Sequence, residues 1–421
     1  MFLYNLLVRL YGAVILAASV KKTKAKQWVE GRRNWRARLE QQVSALAGRR
    51  KIWVHCASYG EFEQGRPLME AIRTQYPDRA LVLSFFSPSG YEAFKDWEGA
   101  DLICYLPLDT RANARDFIRI LQPEAVVFIK YEFWLNFLFR IRQQNIPAFL
   151  VSAVFKPHHP FFKWYGGIFR RSLATFTGLF IQDQASARLL GEIGVRNYQV
   201  CGDTRFDRVV EIRERFQPLP FFEDFCRGSQ VIIAGSSWPK DEELLLEVFS
   251  RLEKRGPLKL VLAPHHVDEK NIARLELLLK SRQIDYTLYN SKTPDATAPV
   301  LVLNAMGLLS RIYHYADVAY IGGGFNSGIH NCLEPAVYLK PVVFYGGNDY
   351  HKYNEALELI GLGAAKTITG PEAAEAAISQ YLAGGPELLD IRERLAAYFS
   401  EKSGSTQRVL DRMQLSGSVP V

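Results

Sequence analysis

A chain of 421 residues with 48% hydrophobic and 23% charged side chains is too long for one ordinary core and too apolar for extensive disorder. Its formal charge of +8 favours an anionic partner: nucleic acid, a membrane surface or a phosphorylated substrate. Five scattered cysteines (Cys56, Cys104, Cys201, Cys226, Cys332) with no C-x-x-C pair exclude a disulfide framework and a zinc site, and fit reduced thiols in a cytosolic protein.

The chain begins "MFLYNLLVRLYGAVILAASV", apolar over about 20 residues, the length that crosses a bilayer, with Asn5 and Arg9 interrupting it. "KKTKAK" and "GRRNWRAR" follow. A cleaved signal peptide carries its charge before the apolar run; here the charge comes after, which keeps the remaining chain cytoplasmic. Residues 1–28 are therefore expected to be an uncleaved anchor, either a span or an interfacial helix, with basic and aromatic residues at the headgroups. The alternative is a buried helix of the first domain. The segment also explains much of the basic charge without nucleic acid.

From residue 51 onward, β-rich runs alternate with amphipathic segments: "KIWVHCA", "ALVLSFF", "DLICYLP", "AVVFIK", "PAFLVSAVF", "GLFIQD" and "YQVCGD". Such alternation predicts an α/β fold with a parallel, doubly wound sheet. The stretch "HCASYGEFEQGRP" (55–67) reads as a strand end, a tight turn at Gly60 and a helix start. Glu61 there is either a helix-capping carboxylate, favoured near the dipole, or a catalytic group at the sheet edge where open α/β sheets bind ligands. "SFFSPSG" repeats the logic with Ser87. "FIKYEFW" places Lys130 and Glu132 at another strand end, with Phe133 and Trp134 read as core packing. "GDTRFDR" supplies Arg205. The pattern pauses at 215–229, so 29–215 is read as one domain and 229–384 as a second. Helices over 385–421 can cross back to the first.

The second half restarts with "VIIAGSS", "LKLVLAP", "YTLYN", "PVLVLNA", "VAYIGGG" and "PVVFYGG". Ser236 and Ser237 lie at a strand-to-helix turn and His265 at another strand tip. The densest signal is "IGGGFNSGIHNCLEP", with Gly323, Gly324, His330, Asn331 and Glu334. Glycines at a strand end let backbone N–H groups approach an anion, and a glutamate can hold ribose hydroxyls. The spacing is neither the dinucleotide fingerprint nor a P-loop. No histidine spacing suits a metal, so neither metal nor cofactor is expected.

In their joint order, "HCASYGE", "SFFSPSG", "KYEFWLN", "GDTRFD", "NAMGLLSRIYHYADVAYIGGG" and "GIHNCLEPA" resemble the Kdo (3-deoxy-D-manno-octulosonate) transferases of lipopolysaccharide core biosynthesis. The resemblance covers nearly the whole chain. It implies a GT-B glycosyltransferase with two Rossmann-like domains, at the cytoplasmic face of the inner membrane. It also implies CMP-Kdo as donor, the lipid A precursor as acceptor, and no nucleic acid partner. Glu61 becomes the general base and Glu132 a second active-site carboxylate. Ser236, Ser237, His265, Met306, Gly323, Gly324, His330, Asn331 and Glu334 fall to the donor, and Gly60, Ser87, Lys130 and Arg205 to the acceptor. This chain departs from the family at His265, where arginine is common, at Trp238, where histidine is common, and at Lys130 and Leu308, where glutamate is common. The implied reaction inverts the anomeric carbon: a carboxylate takes the acceptor hydroxyl proton, while N–H groups and cations stabilise the leaving phosphate. Two rivals remain: another GT-B nucleotide-sugar enzyme (a UDP-sugar transferase or epimerase), and a non-catalytic membrane-associated binding module.

Overall fold

A computed structural model describes residues 1–326, 328–347 and 349–413. Expectations for residues 414–421 lie outside the described residues. The chain divides into two units: Met1–Arg208 together with the segment from Lys402, and Val209–Glu401.

The first unit opens with α1 (Phe2–Ala18), α2 (Thr23–Glu30) and α3 (Trp35–Ser44). It continues through β1 (Lys51–Cys56), α4 (Tyr59–Gln75), β2 (Ala80–Phe85), α5 (Pro88–Phe94), β3 (Leu102–Tyr105), α6 (Arg111–Leu121), β4 (Pro123–Ile129), α7 (Leu135–Gln143), β5 (Ala148–Ala153), α8 (Gly167–Leu173), β6 (Gly178–Ile181), α9 (Gln184–Glu192), β7 (Tyr198–Val200) and into α10 (Thr204–Glu214). Its sheet is parallel and seven-stranded, in the order β3-β2-β1-β4-β5-β6-β7. β2 and β5 are buried along their whole length because helices cover both faces, which is why these strands read as continuous apolar runs. On one face Trp53, Phe128, Phe117 of α6 and Phe137 of α7 pack together. On the other, Phe62 and Met69 of α4 meet Phe85. Each such buried ring contributes about 1.5–3 kcal/mol. The strand order reverses between β1 and β4, so Glu61 and Glu132 follow the two strands that flank the switch point, where open α/β sheets bind ligands.

The second unit runs through α11 (Pro220–Cys226), β8 (Gln230–Ser237), α12 (Pro239–Leu252), β9 (Leu258–Pro264), α13 (Glu269–Ser281), β10 (Tyr286–Leu288), β11 (Val300–Val302), α14 (Leu309–Ile312), β12 (Val318–Ile321), α15 (Leu333–Ala336), β13 (Val342–Tyr345), α16 (Asn354–Gly361), β14 (Ala365–Ile368), α17 (Pro371–Leu382) and α18 (Pro386–Lys402). The parallel order is β10-β11-β9-β8-β12-β13-β14, with its reversal between β8 and β12. Ser236, Ser237 and the glycine run sit at those two strand ends. A last helix, α19 (Ser405–Met413), packs on α4 of the first unit through Val409, Leu410 and Met413.

The N-terminus differs from an unbroken span. α1 stops at Ala18 and α2 leaves at 119°; among the described residues no single helix is long and apolar enough to cross a membrane, although this bent pair is by length and composition. α1 lies against the first unit. The Tyr4 hydroxyl donates to Asp109, Asn136 Nδ2 donates to Asn5 Oδ1 at 2.9 Å, and Tyr11 stacks on Phe86. Its other side exposes Phe2, Leu3, Leu7, Leu10 and Val14. Not every basic residue behind it faces headgroups. Arg32 donates to the carbonyls of Leu106 (2.8 Å) and Phe86 (2.7 Å) and lies over Trp28, and Arg36 pairs with Asp116 at 2.8 Å. These two guanidinium groups tie α2 and α3 to the sheet domain.

Candidate active site

Ser58 is extended (φ −145°) and lets α4 begin at Tyr59. Gly60 is therefore helical, not the tight turn its sequence context suggests, and a side chain there would meet nothing within 4 Å. Glu61 falls in the first turn, half-buried. "S-Y-G-E" has capping-box spacing, yet the Ser58 hydroxyl donates to the Glu61 carboxylate instead of accepting a backbone N–H. The serine thus aims the carboxylate. Ser87 is brought to the same edge: its N–H donates to Ala57 O at 2.7 Å, and its hydroxyl caps α5 by accepting from Ser89 N–H.

Glu132 is buried. Its Oε2 accepts from Trp134 Nε1 at 2.5 Å and lies 3.2 Å from His55 Nε2. His55 Nδ1 is 2.8 Å from the Ser84 hydroxyl, which accepts from Trp53 Nε1 at 2.7 Å. Assigning the imidazole proton to Nε2 gives a continuous chain, Trp53 to Ser84 to His55 to Glu132, in which each group donates to the next. Trp134 therefore has a polar task beyond the core packing expected of it, whereas Phe133 does pack on Phe155 and Phe161. With its Oε2 engaged twice, Glu132 is arranged to fix the strand end rather than to meet a substrate freely. Lys130, which directly follows β4 and precedes Glu132 by two residues, takes a left-handed backbone (φ 71°), a conformation that costs a non-glycine residue about 1 kcal/mol or more. Arg205 is committed to Asp203 through Nε (2.9 Å) and Nη2 (2.7 Å). Burial alone would push Asp203 up, but Arg205 and Gln64 hold it below the usual carboxylate range.

In the second unit the switch-point loops form a stack of rings. Trp238 lies on His265 (centroids 4.9 Å apart), and His265 lies on His330 (4.6 Å). Trp238 Nε1 donates to His330 Nε2 at 3.3 Å, which leaves the ring proton on Nδ1. Burial and the neighbouring His265 push His330 down to about 4. It offers a hydrogen bond at neutral pH, not a charge. His265 is also lowered, by burial and by His266. Ser236 is a left-handed bulge (φ 52°), and a Cβ on Gly322 would come within 2.3 Å of its carbonyl oxygen. Gly323 has φ 98° and its N–H donates to Asp241 Oδ2 at 3.1 Å. That N–H, expected to face an anion, is already satisfied. Gly324 follows in the turn.

Asp241 is the residue that sequence reasoning missed. It is buried, accepts from Tyr320 Oη (2.6 Å), Trp238 N (2.9 Å) and Gly323 N, and is pushed up by that burial. Its only sequence signal is the acidic start of α12, which looks like ordinary capping. Ser237 donates inward to buried Glu242, which Arg274 pairs. Asn331 accepts from Leu333 N and donates to Glu334 Oε1, both at 3.1 Å, so the first turn of α15 is preset. Met306 is exposed on the loop between β11 and α14, apart from this hydrogen-bonded cluster.

Two parallel, doubly wound seven-stranded units make this a GT-B fold. Solved structures agree on the fold: a UDP-N-acetylglucosamine 2-epimerase from Listeria monocytogenes (TM-score 0.60, 13% identity, 87% of this chain and 96% of that one) and MurG of Acinetobacter baumannii (0.55, 14%, 87% and 99%). Within that class, residues 33–208 match the family described as 3-deoxy-D-manno-octulosonic-acid transferase. The 3-deoxy-D-manno-octulosonic acid transferase of Aquifex aeolicus is 26% identical over 73% of this chain and 79% of its own length. A bifunctional glycosyltransferase/methyltransferase of Fusobacterium nucleatum is 25% identical over 81% of this chain, which spans 53% of that protein. The chain is thus similar to proteins named as Kdo transferases over most of its length.

Proposed function

We propose that this protein is a glycosyltransferase that moves Kdo from CMP-Kdo to a sugar hydroxyl of the lipid A precursor, with inversion. The observation that carries the reading is the similarity, across most of the chain, to proteins named for Kdo transfer. The geometry of Glu61 supports its chemical half. A primary hydroxyl is a poor nucleophile until its proton is removed, and an oriented carboxylate at a sheet edge performs that removal. Glu61, aimed by Ser58, is the general base; Glu132, held by His55 and Trp134, is a positioning residue. The first unit takes the acceptor. The second takes the donor, with the ring stack, the Nδ1–H of His330 and the preset Asn331–Glu334 turn facing the nucleotide. Neutral rings in place of cations predict that stacking and hydrogen bonds, more than charge, hold CMP in this chain. The exposed apolar side of α1 keeps the enzyme at the cytoplasmic face of the inner membrane, lying in the interface rather than crossing it.

The test is incubation of the purified chain with CMP-Kdo and the lipid A precursor, followed by mass spectrometry of the lipid. The expected result is a mass increase of one or more Kdo residues. An unchanged lipid, or transfer only from a UDP-sugar, contradicts the proposal.

A further inference from the structure

A groove of about 1030 Å³ opens between α6, α7 and α8 of the first unit. Arg111, Arg115, Arg140 and Arg171 line it, together with Phe139 and Ile168, and no Asp or Glu does. Arg115 shares Asp116 with Arg36. Among the described residues no carboxylate pairs with Arg111, Arg140 or Arg171, and the buried Nε of Arg140 has no hydrogen-bond partner. Guanidinium groups in this state are suited to bidentate capture of phosphate. A second groove of about 560 Å³ adjoins the first, sharing Arg111 and Ala112, and is lined by Phe2, Leu6 and Arg9 of α1. The cationic groove is therefore continuous with the helix that exposes Phe2, Leu3, Leu7 and Leu10.

We propose that the arginine groove binds the phosphate headgroup of an anionic phospholipid, whose acyl chains lie along the exposed side of α1. Charge and continuity select this occupant. A soluble anion would use the guanidinium groups but leave the neighbouring apolar surface bare. The groove-lining helices α6 and α7 pack on one sheet face, whereas α4, which carries Glu61, packs on the other. The site is thus separate from the proposed base, and the inference stands apart from the transfer reaction.

Partitioning of the full chain onto phosphatidylcholine vesicles, with and without phosphatidylglycerol, tests this. The triple variant Arg111→Gln/Arg140→Gln/Arg171→Gln should lose the preference for phosphatidylglycerol by roughly tenfold or more, as expected for several cationic groups near an anionic surface. It should keep its binding to pure phosphatidylcholine. The triple Lys variant should retain the preference, and circular dichroism should show both variants folded. A Gln variant that keeps the preference overturns the proposal. So does loss of the wild-type preference in millimolar inorganic phosphate, which would mark a soluble-anion site. A raised acceptor KM in detergent with vesicle partitioning unchanged would assign the groove to the acceptor and also overturn it.

Discussion

The two switch points of this molecule use the same scaffold for different chemistry. In the first unit, the edge between β1 and β4 carries ionisable groups in hydrogen-bonded arrangements: Ser58 on Glu61, and His55 with Trp134 on Glu132. In the second, the edge between β8 and β12 carries stacked neutral rings, a left-handed bulge and a glycine whose amide is held by Asp241. On the proposed function, the first edge moves a proton and the second holds a flat ligand. A fold alone does not dictate this; the residues placed at each switch point do.

The comparison breaks most sharply at Glu61. Glu61→Gln should lower kcat by about 10²–10⁴-fold, the usual contribution of a general base, with the melting temperature unchanged. A loss under tenfold would return Glu61 to helix capping. A core change is needed to see a comparable effect on stability: Phe117→Ala, removing a ring buried among Trp53 and Phe137, should cost about 3–5 kcal/mol in urea unfolding. At the donor edge, Gly323→Ala forces a Cβ to within 2.4 Å of Gly328 O at φ 98°. It should weaken CMP binding about tenfold or more, since strain at such a position is on the order of 1–3 kcal/mol; unchanged binding would show that the loop can relax.

The pH dependence of stability should have opposite signs in the two units. His330, lowered to about 4, stays neutral in the folded chain while the unfolded chain takes up a proton near 6.5. Its contribution is present above pH 6.5 and is lost as pH falls toward 4, by about 3 kcal/mol. Asp109, raised by burial to about 6 from 3.8, does the reverse: its contribution is present below 3.8 and is lost as pH rises through 6, again by about 3 kcal/mol. Melting curves across pH 4–7 for His330→Gln and Asp109→Asn, each against wild type, should differ in slope in opposite directions. Parallel slopes would contradict the burial argument.

Much of this layout is legible in the sequence, and the misses have physical causes. Thirteen strands appear as β-rich runs, because parallel strands buried on both faces must be continuously apolar. β14 escapes: it is a short edge strand whose Lys366 and Thr367 are not buried. Glu61, Glu132 and the glycine run stand out because they follow strands. Their partners do not, because His55 meets Glu132 across 77 residues and Asp241 meets Gly323 across 82. Such pairings exist only once the strand order is known. Gly60 misleads because glycine signals a turn, while the extended Ser58 already supplies one. The apolar N-terminus reads as an anchor, either a span or an interfacial helix; its contacts through Tyr4 and Asn5 to Asp109 and Asn136 form across more than a hundred residues and are not legible in the sequence.

The division of labour between the two edges is tested most directly by the dissociation constant of CMP for Glu61→Gln, measured calorimetrically on protein that has lost transfer. The expected value is that of the wild type within about twofold, because the proposed base and the proposed nucleotide site belong to different units. A constant weakened tenfold or more would contradict it, placing Glu61 in donor binding rather than in proton removal.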